Sequence, residues 1–438
     1  MTRIPYILSV LFLLAIPSTR AQQTPAPKQS QPIAIMGGTA HLGNGQTINN
    51  SLIVFDQGKL ITVADATVVK FDPTGMQVIE AKGKHVYPGF IIPNSTLGLV
   101  EIDAVRASND EDEVGAINPN IRSLIAYNTE SKVVETMRPN GVLIGQITPR
   151  GGRISGTSSI VQFDAWNWED AVIKADDGIH MNWPKSFRQT RGVRSGNREL
   201  KPNKNYQKEI NKITEFLNQS KAYNKGDKTI KDLAFEAVQG LFDGSKKLYI
   251  HVNDAKDISD AIEFKSDNSI KDMVIVGGYE AYKVADLLKE QNIPVLIQRV
   301  HSEPHNMDDD YDQTFKLASI LTKAGVLVGL ENSGDMERMN ARNLPFLAGT
   351  TAAYGLGKEQ ALQLITLNTA KILGIDAHYG SLEVGKSATL FISEGDALDM
   401  RTNQLSRAFI DGRDISLESH QTELWKRYSN KYKAQKDE

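Results

Sequence analysis

Short apolar runs alternate with helix-like segments through the middle of the chain. Seven of these runs have the length and composition of buried strands, and a distorted eighth is predicted in Ala171–Lys174. Strands that alternate with helices are typical of parallel βα units, so the pattern predicts an α/β protein built on a (β/α)8 TIM-like barrel. The seven runs are Tyr87–Ile92, Gly141–Ile147, Ile154–Phe163, Lys247–Val252, Met273–Val276, Pro294–Gln298 and Val326–Leu330.

Helical periodicity falls between several of these runs. The best example is Lys358–Leu373, which Gly374 ends. Lys201–Ser245 is a charged, helix-prone insert that we expect to decorate the barrel. Three shorter helices are predicted at Ile258–Phe264, Tyr279–Gln291 and Thr314–Ala324.

Strand-rich segments lie at both ends of the predicted barrel. Ser51–Phe55 and Lys59–Val63 flank a turn, and a similar pattern returns after residue 388. Neither segment has enough apolar surface alone, so residues 33–86 and 380–415 are predicted to form one β-sandwich module. The barrel then occupies residues 87–379. Residues 416–438 are predicted to be a terminal helix that docks on the body through Leu424, Tyr428 and Tyr432.

The N-terminus has the pattern of an export signal. Arg3 precedes the apolar run Ile4–Ile16, and Thr19 and Ala21 are small residues of a cleavage site. Residues 1–21 are therefore predicted to be a signal peptide, and the Pro-rich residues 22–32 a flexible linker. This predicts a secreted or periplasmic protein without a membrane anchor after cleavage.

Composition excludes several classes of protein. The 438 residues include 50 Lys and Arg against 53 Asp and Glu, a net charge of −3, so no basic field indicates nucleic-acid binding. The chain has no cysteine, which excludes disulfides and thiolate metal sites. The Gly/Ser segment Gly151–Ser159 lacks the lysine and spacing of a phosphate-binding loop, so no nucleotide cofactor is expected.

Three segments resemble one known superfamily. Tyr87–Gly98 reads YPGFIIPNSTLG, and it is followed far downstream by Ala361–Gly374 and Gly380–Lys386. These segments resemble the amidohydrolase superfamily, in particular its imidazolonepropionase-like and prolidase-like branch. In that superfamily the first strand reads Pro-Gly-Phe-Ile-Asp-x-His-x-His. The resemblance implies a barrel enzyme that hydrolyses a C–N bond in a cyclic amide or small peptide.

The resemblance carries over to the metal site only in part. Asn94 and Thr96 replace the two histidines of strand one, and both are poorer zinc ligands than imidazole. His251 matches the strand-five ligand and Asp335 the aspartate after strand eight, but strand six ends in Gly277 where the other histidine is expected. We therefore expect at most one divalent metal, such as zinc, in a reduced centre.

His251 and Asp335 can be interpreted in two ways. In the functional interpretation, Asp335 is the general base for an attacking water, and His251 is a metal ligand or an oxyanion stabiliser. Without a metal, the two would act as an acid–base pair. In the structural interpretation, His251 is a satisfied histidine at a strand end and Asp335 caps the next segment.

The loop after strand seven contains a second cluster. His301 and His305 are followed by the acidic run Asp308–Asp310, so the loop either contributes to the substrate or metal site or is a solvated acidic surface. The substrate-binding positions expected from sequence are Asn94, Thr96, His301 and His305.

Two functions therefore remain open from the sequence. The first is an exported hydrolase that acts on a small molecule or peptide. The second is a metal-free pseudo-enzyme whose barrel mouth binds a ligand. Trp183 and His180, near the aromatic loop Asp164–Glu169, either line such a pocket or pack in the core.

Overall fold

The computed structural model describes residues 24–191, 198–226, 228 and 230–434, so the predicted signal peptide, residues 1–21, lies outside the described residues. The strands are β1 Ile33–Met36, β2 Thr39–His41, β3 Thr47–Ile48, β4 Ser51–Asp56, β5 Lys59–Asp65, β6 Gln77–Glu80, β7 His85–Pro88, β8 Phe90–Ser95, β9 Val142–Ile147, β10 Ile154–Gln162, β11 Val172–Asn182, β12 Phe187–Arg191, β13 Arg198–Pro202, β14 Lys247–Val252, β15 Met273–Gly277, β16 Val295–Gln298, β17 Val328–Glu331, β18 Leu390–Ser393, β19 Leu405–Ile410 and β20 Arg413–Ile415.

Helices flank these strands. The α-helices are α1 Ser123–Ala126, α2 Trp168–Ala171, α3 Tyr206–Lys225, α4 Leu233–Ala237, α5 Gly240–Asp243, α6 Ala255–Asp267, α7 Ala285–Glu290, α8 Gln313–Ala324, α9 Glu337–Asn340, α10 Leu344–Ala353, α11 Lys358–Gln363, α12 Leu367–Leu373 and α13 His420–Ala434. Single 3-10 turns occur at Arg106–Ser108, Val134–Thr136, Arg138–Asn140, Ala281–Val284 and Ala341–Asn343.

Eight strands form the nearly closed barrel that the sequence predicts. Their order is β17-β16-β15-β14-β11-β10-β9-β8. All neighbours are parallel except β10, which is antiparallel to both β9 and β11. The expectation that Ile154–Phe163 is one more parallel strand was therefore wrong. The connection at residues 148–153 is too short for a parallel crossover, which needs about a dozen residues.

The barrel closes through a segment that interrupts a predicted helix. The amide of Ile91 in β8 donates to the carbonyl of Ile365 at 2.9 Å, and that of Leu330 in β17 donates to the carbonyl of Leu364 at 3.3 Å. These carbonyls accept hydrogen bonds from barrel strands, so they do not continue the hydrogen-bond pattern of a single helix. Lys358–Leu373 therefore forms two helices, α11 and α12, rather than the single helix expected.

Both ends of the chain build the second module, as predicted. One sheet has the order β5-β4-β1-β6, and the other has the order β20-β19-β18-β7-β2-β3. Ile35, Phe55 and Phe409 are among the apolar side chains buried in the module. The C-terminal strand β18 pairs directly with β7 of the N-terminal part, and β19 and β20 extend the sheet from β18, so the module requires both segments.

Two peripheral segments differ from expectation. Residues 24–32 are not a free linker, because the amide of Ala26 donates to Asp164 at 2.9 Å and Gln29 bonds the carbonyl of Phe55 at 2.9 Å. Helix α13 leaves Tyr428 and Tyr432 50% and 58% exposed, so these rings do not dock it on the body. Within the described residues, every helix is too short or too polar to cross a membrane.

Candidate active site at the barrel mouth

An arginine lies at the end of β8, the first strand of the barrel. Arg150 follows β9, and its Nη1 donates to Asn94 Oδ1 at 2.9 Å while Nη2 donates to the Asn94 carbonyl at 2.9 Å. Nη2 also contacts both carboxylate oxygens of Glu337, at 3.0 and 3.1 Å. Thr96 donates to the same carboxylate through its amide at 2.8 Å and its hydroxyl at 2.9 Å. The two positions that replace the histidine pair are therefore held by an ion pair.

Asn94 and Thr96 lie below the surface of the barrel mouth. Asn94 is 1% exposed and Thr96 is fully buried, and neither lines the two cavities described next. Asn94 adopts a left-handed backbone, with φ of 50°, which an asparagine tolerates better than most residues. Neither residue reaches these two cavities, so the structure gives no support to the substrate-binding role expected for the pair.

Two adjoining cavities open at the strand ends. The His251 cavity has a volume of about 220 Å³, and its wall includes His251, Glu331, Trp183 and Asp254. The His305 cavity has a volume of about 330 Å³, and its wall includes His305 and Asp335. The two cavities share four lining residues: Asn253, Gly277, Gln298 and Ser333.

Glu331 is a fully buried carboxylate in the wall of the His251 cavity, which Asp257 also lines. It is the last residue of β17, it is 0% exposed, and it accepts hydrogen bonds from the Ser333 amide at 2.5 Å and from the Ser333 hydroxyl at 2.9 Å. Gln298 donates to the Ser333 carbonyl at 3.1 Å and so holds the loop. The strand end and this loop thus orient one carboxylate at the wall of the His251 cavity.

The two histidines of the strand-seven loop diverge. The His305 ring stacks on Tyr279 with centroids 3.7 Å apart, at the wall of the His305 cavity. His301 Nε2 lies 2.6 Å from Thr350 Oγ1, in a separate groove lined also by Lys358 and Asp396. The loop therefore does not bring His301 and His305 together as one pair of ligands.

Comparison with known proteins identifies the family. The model of the amidohydrolase family matches residues 174–415, which is more than half of the chain. The chain belongs to the amidohydrolase family. This confirms the resemblance drawn from the strand-one and C-terminal motifs, and with it a hydrolase fold. No curated protein matches the sequence.

Solved structures support the same fold for this amidohydrolase. An amidohydrolase from Thermotoga maritima MSB8 is 23% identical with a TM-score of 0.76, covering 88% of this chain and 99% of its own. A prolidase complexed with N-methylphosphonate-L-proline is 15% identical with a TM-score of 0.54, covering 88% and 99%. A Xaa-Pro dipeptidase with bound methionine is 14% identical with a TM-score of 0.53, covering 88% and 100%.

Burial sets the protonation of the two groups in the His251 cavity. Burial raises the pKa of Glu331 to about 7, and the nearby Glu337 adds to this while the Ser333 hydrogen bonds and Arg150 oppose it. Burial, followed by the Arg150 charge, lowers the pKa of His251 to about 3. At neutral pH the amidohydrolase therefore presents a neutral imidazole and a carboxyl group that is poised to exchange a proton.

The donor set does not fit the metal centre that the family implies. Among the described residues, no three His, Cys, Asp or Glu side chains are placed to hold a metal ion together. The guanidinium of Arg150 lies between Asn94 and Glu337, where a fixed positive charge disfavours a cation. A structural or catalytic zinc ion normally takes three or four such ligands.

The structure places the sequence-predicted residues unequally. His251 lies in the cavity with Glu331, whereas Asp335 is exposed in the adjoining cavity, and its carbonyl accepts a hydrogen bond from Arg299 at 2.6 Å. Sequence reasoning missed Glu331 because the strand was ended at Leu330, one residue too early. A charged residue directly after an apolar strand was the available signal.

Arg150 was the second residue missed. It directly precedes the Gly/Ser segment Gly151–Ser159, whose sequence was compared only with phosphate-binding loops. Nothing local in the sequence shows that its guanidinium meets Glu337, which is 187 residues away along the chain.

Proposed function

We propose that this member of the amidohydrolase family is an exported hydrolase of carbon–nitrogen bonds, acting on a cyclic amide or a small peptide without a tightly held metal centre. Glu331 would act as the general base for the attacking water, and His251 would contact the water or the substrate beside it. Arg150 would supply the fixed positive charge behind the site.

One observation carries this proposal. A buried carboxyl group with a pKa of about 7 and a neutral imidazole share one cavity wall at the C-terminal ends of the barrel strands. Active sites of such barrels are built at this face, and a general base works best when its pKa is near the operating pH.

The test is hydrolysis by protein that has been treated with a chelator. The substrates are a panel of cyclic amides and Xaa-Pro dipeptides. Hydrolysis is measured as the ring-opened amino acid from a cyclic amide, or as free proline from a dipeptide. Glu331→Gln is expected to lower turnover by about 100-fold or more, because general-base catalysis contributes roughly 10² to 10⁴. Asp335→Asn is the matched comparison, since Asp335 is the base expected from sequence. Loss in Asp335→Asn with retention in Glu331→Gln would assign the role to Asp335 instead.

A non-catalytic binding protein is the second candidate. It is favoured because Asn94 and Thr96, which stand where the family has metal-binding histidines, are hydrogen-bonded to the Arg150–Glu337 ion pair instead. Calorimetry on the same panel separates the candidates. A compound that binds and is recovered unchanged, with no compound in the panel hydrolysed, would support the binding protein and contradict the hydrolase.

The exported location is part of the proposal and rests on residues 1–21. A short basic start, an apolar run and a small-residue cleavage site support it. Mass spectrometry of the protein from the extracytoplasmic fraction is expected to show a mature chain that starts at Gln22. Full-length protein confined to the cytoplasm would contradict export.

A further inference from the structure

A chain of buried hydrogen bonds leads from the barrel interior to His251. It starts at Asp177 in β11, which is buried and plays no part in the proposed chemistry. Ser158 Oγ donates to Asp177 Oδ1 at 2.7 Å, while Tyr249 and Gln146 donate to Oδ2 at 2.8 and 2.9 Å. Burial raises the pKa of Asp177, and these three donors oppose that rise.

The orientation of Gln146 is fixed independently. Its Oε1 accepts the backbone N–H of Asn94 at 3.0 Å, so its Nε2 must point the other way. Nε2 therefore donates both to Asp177 and, at 3.3 Å, to Ser158 Oγ. Asp177 Oδ2 is thus an acceptor from two donors, and one lone pair of the Ser158 hydroxyl is occupied.

The hydroxyl of Ser158 then decides the tautomer of His180. A serine has one proton to donate and two lone pairs. The proton goes to Asp177 and one lone pair faces Gln146, so His180 Nε2, at 3.0 Å from Ser158 Oγ, is a donor. A neutral imidazole has one N–H, and burial holds the pKa of His180 well below its usual value. Its Nδ1 is therefore an acceptor.

The same reasoning passes to His251. Its Nε2 lies 3.0 Å from His180 Nδ1, and since that nitrogen accepts, His251 Nε2 carries the proton. Nδ1 of His251 is then unprotonated, and among the described residues it has no hydrogen-bond partner. His251 lines the cavity that also contains Glu331.

We propose that Asp177, acting through Ser158 and His180, fixes the tautomer of His251 so that its Nδ1 is a hydrogen-bond acceptor for the ligand of the His251 cavity. Asp177, Ser158 and His180 are positioning residues, and only His251 touches the ligand. The ligand must then present an N–H or O–H group to this nitrogen, as an amide or a bound water does. The inference rests on the proposed function only in taking this cavity as the ligand site.

The test is nitrogen NMR of protein labelled at histidine, because protonated and bare ring nitrogens differ in chemical shift and in coupling to protons. The signals are assigned by their loss in single histidine variants. At neutral pH the wild-type protein is expected to show His180 and His251 both protonated at Nε2. A wild-type His251 protonated at Nδ1 would overturn the proposal without any variant.

Asp177→Asn is expected to reverse the direction of donation along this series of hydrogen bonds. The new amide donates to Ser158, which then donates to His180, so both histidines become protonated at Nδ1. Tyr249→Phe is the matched control, because it removes a donor to Asp177 Oδ2 but keeps the ring that stacks on His180 at 4.6 Å. It is expected to leave both tautomers unchanged. An unchanged His251 tautomer in Asp177→Asn would refute the coupling.

Two further measurements keep the proposal testable. If Asp177→Asn does not fold, Ser158→Ala cuts the chain, and His251 is expected to populate both tautomers, whereas Ser158→Thr is expected to restore the single one. With a hydrolysed substrate, Asp177→Asn is expected to lower kcat roughly 100-fold with little change in KM. The tautomers are measured without substrate, so a protein that hydrolyses nothing would contradict the proposed function and leave this inference intact.

Discussion

At the scale of single residues, the barrel mouth is organised by a largely buried ion pair between Arg150 and Glu337. The Arg150 side chain is 22% exposed and that of Glu337 is 8% exposed, so solvent screens their interaction only weakly. Asn94 and Thr96 complete the hydrogen bonds of both partners. Sequence alone locates Asn94 and Thr96 as changed positions. It cannot show what replaces the metal ligands, because Arg150 lies in the loop after β9 and Glu337 begins helix α9, far away along the chain.

Arg150→Met is expected to destabilise the protein by about 3 kcal/mol, because it leaves the carboxylate of Glu337 buried without a counter-charge. Arg150→Met combined with Glu337→Gln is expected to recover most of this loss. Urea denaturation of the two single variants and the double variant measures the coupling. Additive losses would show that the pair does not interact as described.

Glu331→Gln is expected to change how stability depends on pH. The pKa of Glu331 is raised from 4.5 to about 7, so between these values the native state holds a proton that the unfolded chain has lost. The free energy of unfolding therefore falls as pH rises through this window, by about 3 kcal/mol in total. The Gln variant lacks this term.

Urea denaturation of both proteins at pH 5 and pH 8 measures the effect. From pH 5 to pH 8, the free energy of unfolding of the Gln variant should increase relative to that of the wild type. A difference between the proteins that does not vary with pH would show that the carboxyl group is not buried as described.

At the scale of elements, the strands were predictable and their connections were less so. Apolar runs located seven of the eight barrel strands, because buried strands need such runs whatever their direction. The eighth, β11, was expected only over Ala171–Lys174, since Asp176 and Asp177 interrupt its apolar pattern. The antiparallel direction of β10 was missed, although the short loop that requires it can be seen in the sequence. The break between α11 and α12 was not visible, since it depends on carbonyls of Leu364 and Ile365 that bond the barrel strands.

Gly329→Ala tests the packing of this closure. A Cβ at Gly329 in β17 would lie 2.8 Å from Thr369 Oγ1 and 2.9 Å from Leu296 Cδ2. Thr369 bonds the Leu364 carbonyl at 2.6 Å, so the added methyl would disturb the closing segment. Overpacking of this kind costs about 1–3 kcal/mol, measured by urea denaturation. Gly226→Ala, where the nearest atom would be 3.5 Å away, is the control and should be close to neutral. Equal effects of the two changes would contradict the described packing.

At the scale of the whole molecule, one buried carboxylate joins the barrel, the β-module and the N-terminal segment. Asp164 accepts hydrogen bonds from Arg138 at 3.0 Å, from Arg413 in β20 at 2.7 Å and from the Ala26 amide at 2.9 Å. The sequence predicts the two bodies from their separate patterns. It does not reveal this junction, which depends on residues from three parts of the chain.

Asp164→Asn is expected to destabilise the protein by about 3 kcal/mol, because it removes the counter-charge of two arginines at a buried site. Residues 24–32 should also become more accessible to proteases. Limited proteolysis with urea denaturation measures both effects. Asp110→Asn makes the same change of charge at an exposed position and is the control. Unchanged stability and proteolysis in Asp164→Asn would contradict the junction.

Glu331 is proposed to be the base of a metal-independent site, and the pH dependence of kcat/KM in chelator-treated protein is the sharpest test of this role. The wild-type protein is expected to show activity that rises with pH, reaches half its limit near pH 7 and then levels off, as Glu331 loses its proton. Glu331→Gln is expected to show a low rate without this rise. Activity that requires added zinc, or the same rise in the Gln variant, would show that Glu331 is not the base of a metal-independent site.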